Sequence, residues 1–290
     1  GAAEPLSSIV AFKAGEPDRT MTGPRYRIAH TTDFSLTSQP AFVHALALAV
    51  ALKAEFQVLH VHGRGDEGGH FPAVRETLAG WGLIAADAPR EAVDRDVGVL
   101  VTKVDIRDHD PVSGVEHFLA AHAADLLVLG SHGREGLDRV LHGSISERIA
   151  AGTEVPVLFV PLDRPGFADP ATGALSLQHI LMPIADQPPA GHALNVVSRL
   201  ATALGLADEA VELLHVGERA PRIATADGEG WAPVRLACGP LIETILGRAG
   251  SADLVAMPAR RHDSLRDMLR GTHTERVMRQ APCPVLVIPA

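Results

Sequence analysis

Short, almost wholly apolar runs recur along the chain, each stopping at polar residues and each followed by a segment whose apolar positions repeat at helical spacing. The starts of the two series correspond, YRIAHTTDFS stopping at Asp33 and HILMPIADQP at Asp186. After the first run, Phe42, Ala45, Leu46, Ala49 and Leu52 predict a helix with one apolar stripe. After the second, Leu194, Val197, Ala201 and Leu204 predict the same. FQVLHVHG and VELLHVGE then follow as second strands.

The ends of these two series match without a gap. DLLVLGSHGREGLDRVLHGSISERIAAGTEVPVLFVP from Asp125 runs in parallel with DLVAMPARRHDSLRDMLRGTHTERVMRQAPCPVLVIP from Asp253, at a constant offset of 128. Gly143 falls on Gly271, Ser144 on Thr272, Glu147 on Glu275 and Arg148 on Arg276. The chain is therefore a tandem repeat, each half reading β-α-β-(α)-β-α-β-α-β. Strands apolar throughout and alternating with helices require a parallel sheet covered on both faces. The halves are expected at 24–162 and 179–290, joined by a linker at 163–178 rich in Pro, Gly and small polar residues. Val61 to Asp125 is 64 positions but Val216 to Asp253 only 37, so the first half carries about 27 extra residues around GRGDEGGHFPAVRETLAGWGL, a lid or a decoration.

Length and composition agree with two globular domains: 290 residues, 46% apolar and 21% charged. The formal charge of -9 opposes nucleic acid or an anionic membrane as partner. No stretch stays apolar for the 18 residues that a membrane span needs, and the first residues lack the basic-then-apolar pattern of an export signal, so a cytoplasmic location is expected. Two cysteines, Cys238 and Cys283, fit a reducing compartment and are expected as buried free thiols.

Chemistry concentrates where VLGSHG leaves a strand and Gly130-x2-Gly133-x9-Gly143-Ser144 leads into the last helix of the first half. Glycines let main-chain N–H groups approach an anion, and a helix N-terminus adds unpaired donors and the positive end of its dipole. Gly143, Ser144 and Ser146 are placed to cradle phosphate oxygens. The same residues admit a structural reading, because Ser144-x2-Glu147 is also a capping box and recurs as Thr272-x2-Glu275. In the second half Pro258 replaces Gly130 and Arg261 replaces Gly133, which favours the structural reading there.

HTTDFS, the LHV of the second strand, and VLGSHG followed by nine residues and GS resemble the universal stress protein family, here as a tandem pair. The resemblance covers most of both halves, with specific motifs in the first and degraded ones in the second. It implies two Rossmann-like domains of the adenine nucleotide alpha hydrolase-like type, each a mainly parallel five-stranded sheet with helices on both faces, paired through their last strands. It implies ATP binding, with or without Mg2+, where the glycine pattern is complete. By matching position, Thr32 and Asp33 sit by the adenosine, Val61 holds the adenine through its backbone, and Gly130, Gly133, Gly143, Ser144 and Ser146 take ribose and phosphates. Asp33 also reads as a turn former or N-cap, and Asp186 as a cap or an echo of ancestry.

Other chemistry is less well supported. His60 and His62 lie on one strand face, but His60 has a counterpart in His215 within the shared LHV, which favours a role in the sheet over a metal site. No Gly-x-Ser-x-Gly elbow and no Walker-type Gly-x4-Gly-Lys-Ser/Thr is present, and Arg134 and Arg139 are as readily solvated as phosphate-bound, so no catalytic residue is assigned. The expectation is an ATP-binding stress-response regulator with slow or no hydrolysis, a homodimer with a further protein partner. The alternatives are a dimerisation scaffold without nucleotide, or a metal-binding stress protein.

Overall fold

A computed structural model describes residues 25–35, 38–62, 70–131, 145–164, 166–223, 233–260 and 273–290. The first half contributes β1 (Arg27–Thr31), α1 (Gln39–Leu52), β2 (Glu55–His62), α2 (Val74–Gly80), β3 (Leu100–Arg107), α3 (Pro111–Ala121), β4 (Leu126–Ser131), α4 (Ile145–Gly152) and β5 (Val157–Pro161). The second contributes β6 (Ile180–Pro183), α5 (Gly191–Ala203), β7 (Val211–Val216), β8 (Arg235–Ala237), α6 (Leu241–Ala249), β9 (Leu254–Ala259), α7 (His273–Gln280) and β10 (Val285–Pro289). All ten strands form one sheet in the order β3-β2-β1-β4-β5-β10-β9-β6-β7-β8. Every pairing is parallel except the central one, where β5 and β10 run antiparallel with Leu158 opposite Leu286. The closing strands of the two halves thus meet, as the resemblance implies.

The central strands are apolar on both faces because both faces are covered. One layer packs α1, α2 and α5 onto Ile28, Phe56, Val128, Leu158, Ile180 and Leu286. The other packs α3, α4, α6 and α7 onto Ala29, Leu59, Leu127, Phe159, Val255 and Val285. Asp125 and Asp253, first residues of the matched tails, explain their own recurrence. Asp125 Oδ2 accepts the Arg27 N–H at 2.8 Å, and Asp253 Oδ2 accepts the N–H groups of Gln178 and His179 at 2.9 Å. Each carboxylate ties the start of its fourth strand to the start of its first.

Helix α1 departs from the single stripe expected of it: every residue from Ala41 to Ala49 is buried. A helix apolar all round must be covered all round, and the covering comes from the connector and the insertion. In the connector, Phe167, Ala168 and Leu177 are buried, and Ala168 bridges antiparallel to Leu175. His44 of α1 donates from Nδ1 to the Pro40 carbonyl at 2.8 Å and accepts the Ala168 N–H at Nε2, 3.3 Å away, while the Phe167 ring packs edge-on against it. Both bonds require a neutral imidazole, and burial lowers the His44 pKa accordingly. From the insertion, Val74 and Leu78 of α2 join the same layer, and Trp81 donates its indole N–H to the Pro170 carbonyl at 3.0 Å. The α2 part of the insertion is therefore a brace between the first half and the connector. A pocket lined by Ala47, Val50, Ala51, Leu175, Leu204 and Leu206 lies between α1, the connector and the end of α5, on apolar side chains alone.

Both cysteines are free, but Cys238 is exposed and only Cys283 meets the expectation of burial, its thiol pushed up to about 12 by desolvation. Among the described residues no helix is long and apolar enough to cross a membrane.

Two predictions follow from this packing. His30 on β1 is fully buried, donates from Nδ1 to the Val128 carbonyl at 3.0 Å, and has its pKa lowered to about 4 by burial. The unfolded chain takes up this proton near 6.5, so the stabilisation is complete above that pH and is lost as pH falls toward 4, by on the order of 3 kcal/mol at full expression. Urea unfolding from pH 7 to 4.5 should show a shallower acid loss for His30→Leu than for the native chain; equal slopes would refute the assignment. Gly173 has φ +69, and a Cβ there would run into the Trp81 ring. Gly173→Ala should therefore lower stability by about 1–3 kcal/mol in thermal unfolding, and a gain in stability would contradict the brace.

Candidate functional site

In the first half β1 is flanked by β2 on one side and β4 on the other, so the strand order reverses between β1 and β4. At such a switch point the loops beyond the carboxyl ends diverge and leave a crevice. Thr32 and Asp33 follow β1, Val61 lies near the end of β2 and Gly130 near the end of β4. Neighbouring strands are about 4.8 Å apart, so the sheet alone gathers these residues at one edge. Ser146 joins them through α4, its hydroxyl donating to the Gly130 carbonyl at 2.9 Å. Gly133, Gly143 and Ser144 lie outside the described residues, as do Arg134, Arg139, Arg261, Gly271 and Thr272.

The β1–α1 turn is built by its own side chains. Asp33 Oδ1 accepts the Ser35 N–H at 3.0 Å and the Ser35 hydroxyl at 2.5 Å, and Thr32 Oγ1 accepts the Phe34 N–H at 3.0 Å. This is the turn-forming role open to an Asp at a strand end. The carboxylate nevertheless remains exposed. Phe34 is held at φ 62, a left-handed conformation that costs a non-glycine residue about 1 kcal/mol or more. Its ring stacks on His60 with centroids 3.8 Å apart and meets the edge of Phe71 from the insertion at 5.4 Å. No spacing in the sequence signals this aromatic group, because its members come from three separate segments.

Val61 stands two residues beyond Leu59, the last β2 residue in register with β1. On the opposite layer its side chain packs against Gly114 of α3, where a Cβ would lie 2.8 Å from Val61 Cγ1. Asp110 caps that helix, its Oδ2 accepting the Ser113 N–H at 3.4 Å.

His60 does in the sheet what its counterpart does. Its Nδ1–H donates to the Thr32 carbonyl at 2.9 Å, and His215 donates likewise to the Ile184 carbonyl at 2.9 Å. The His62 ring lies parallel to that of His60, with Asp105 Oδ2 3.5 Å from its Nε2. Among the described residues no cluster of three or more His, Cys, Asp or Glu is disposed to hold a metal ion. The paired histidine bonds also reset one correspondence. Thr32 N–H bonds to Leu59 and Ile184 N–H to Leu214, each just before the shared histidine, so Thr32 matches Ile184. Ala185 therefore stands where Asp33 does, and Asp186 is one residue further on, where it accepts the Arg222 N–H at 3.1 Å.

The matching end of β9 differs in kind. Pro258 lies buried in the strand opposite Ile288 of β10, at the position of Gly130, so the second half presents a ring and no amide N–H there.

This architecture agrees with the comparisons. The model of the Universal stress protein family matches residues 25–161 and 244–289, well over half of the chain, and the chain belongs to that family. A universal stress protein of Methanocaldococcus jannaschii is 29% identical over 140 residues, covering 46% of this chain and 81% of that protein. Stress response protein NhaX of Bacillus subtilis is 24% identical over 160 residues, covering 46% of this chain and 96% of its own length. Over the whole fold, the crystal structure of a universal stress protein from Archaeoglobus fulgidus superposes with a TM-score of 0.59 at 18% identity, covering 91% of this chain and 96% of that one.

The turn at Asp33 yields a direct test. Asp33→Asn keeps an acceptor for Ser35 and should stay within about 0.5 kcal/mol of the native chain, whereas Asp33→Ala should lose about 1 kcal/mol. Urea denaturation measures both, and equal stability of the two variants would deny the turn its structural role.

Proposed function

We propose that this protein binds ATP in its first half, at residues 24–162, and acts as a nucleotide-responsive regulator with slow or no hydrolysis. In this reading 163–178 is the connector, and 179–290 is a domain of the same fold that carries no nucleotide. The observation that carries it is the convergence of Thr32, Asp33, Val61, Gly130 and Ser146 on one switch-point edge, with Gly133, Gly143 and Ser144 next in the glycine pattern.

Each residue has a role that its chemistry fits. The main chain of Val61, past the end of the β1 pairing, meets the edge of the adenine. Asp33, exposed beside it, faces the ribose hydroxyls. Gly130 and Gly133 admit the phosphates without a Cβ in the way, and Gly143, Ser144 and Ser146 at the start of α4 offer N–H and hydroxyl donors to the terminal oxygens, with or without Mg2+. Ser146 must then turn its hydroxyl from the Gly130 carbonyl toward the phosphate. The sequence carries no Walker-type Gly-x4-Gly-Lys-Ser/Thr motif to serve phosphoryl transfer, which favours binding over turnover. Family membership supports a stress-response role. The closing-strand edge is already used between the two halves, so a homodimer of whole chains requires a different surface.

Adenine nucleotide carried through purification, read by absorbance and mass, together with calorimetric titration, tests the reading. One ATP site per chain is expected, and Gly133→Val should abolish it without moving the thermal midpoint, because the branched side chain fills phosphate space. No site would leave a scaffold as the function, and two would overturn the exclusion of the second half.

A further inference from the structure

Helices α4 and α7, which follow the corresponding strands of the two halves, lie in the same layer of the molecule. Arg279 of α7 reaches across the junction: its Nη2 lies 3.2 Å from Glu147 Oε1 on α4 and 3.1 Å from Glu275 Oε1 on its own helix. Both carboxylates are largely buried, their side chains only 15% exposed. At the constant offset of 128, the residue of α4 that matches Arg279 is Ala151, so this arginine has no counterpart in the first half.

On either side of this contact the structure is tied down. Ser146, next to Glu147, bonds to the Gly130 carbonyl at the end of β4. Beyond Arg279, the connector residue Arg164 donates to the carbonyls of Arg279 and Ala281 at the end of α7. A continuous set of polar contacts thus joins the end of β4 to the second half and the connector.

We propose that Arg279 is a positioning residue for the first half's nucleotide site: by gripping Glu147 it fixes the first turn of α4, whose N–H groups would receive the phosphates. The second half, without a glycine pattern of its own, then serves as the fixed support of its partner's site. This rests on the nucleotide reading above, but part of it can be measured without nucleotide. A guanidinium held between two largely buried carboxylates is geometrically specific, and its loss frees one helix turn without opening the core.

The test uses the full chain with Arg279→Met, which keeps the apolar stem and removes the charge, and with Glu147→Gln as an independent cut of the same contact. Expected for both is ATP binding weakened at least about fivefold in calorimetry, with the thermal midpoint little changed. Amide exchange over residues 149–152, whose N–H groups bond back to the carbonyls of the first turn, should be faster than in the native chain before any ATP is added. Arg279→Lys should recover part of the affinity. Native affinity with native exchange in both variants would overturn the proposal, as would weakening that merely tracks a fallen midpoint. If the native chain takes up no ATP, the nucleotide reading fails. The exchange rates then still decide whether Arg279 fixes α4: faster exchange upholds the positioning, and unchanged exchange refutes it.

Discussion

The antiparallel pairing of β5 with β10 is the constraint on which the rest of this molecule depends. A five-stranded parallel sheet ending in VLFVP or VLVIP leaves an apolar edge of unpaired N–H and C=O groups, which invites association with another chain. Here each half closes the other's edge, with Val157 to Phe159 set against Val285 to Val287. Two domains thereby share one sheet and two helical layers. Because α1 and α5 lie in one layer, the connector between them has an apolar bed to fill, and α1 is buried on every side. Because α4 and α7 share the other layer, Arg279 can reach Glu147.

Within this near-symmetric frame the two halves have diverged. The residues that survive in both are architectural: Asp125 and Asp253 clamping first strands, His60 and His215 bonding to the carbonyl at the next strand's end. The halves also differ at the crevice. Gly130 stands opposite Val160 in one half, and Pro258 opposite Ile288 in the other. A repeat that keeps its frame and carries proline in place of a strand-end glycine in one copy fits the proposal of one nucleotide per chain.

Much of this was legible in the sequence. Ten strands and the two-fold repeat come from local apolar runs and a gapless internal match, which need no knowledge of packing, whereas the meeting of the closing strands was implied by the family resemblance. What was illegible depends on contacts between distant segments. The stripe expected on α1 failed because the connector covers its outer side, and nothing in the spacing of Phe42 and Leu46 signals that. The match of Asp33 with Asp186 slipped by one residue because both follow an apolar run, and only the histidine bonds set the register. Phe71 and Arg279 carry no motif, and Phe34 lies within HTTDFS without a role read for it; each matters through what lies beside it in space. Of the candidate site, the strand-end residues could be placed by topology alone, whereas the turn bonds of Asp33 and the inward hydroxyl of Ser146 required side-chain geometry.

The central claim is that bare main-chain groups at one switch point, and not at its counterpart, receive a triphosphate. A crystal structure of the chain grown with a non-hydrolysable ATP analogue measures this most directly. The account predicts one nucleotide, its base near Val61 and its phosphates between Gly130 and the start of α4, with nothing at the ends of β6 and β9. Nucleotide beside Pro258, or an empty first half at saturating analogue, would contradict it.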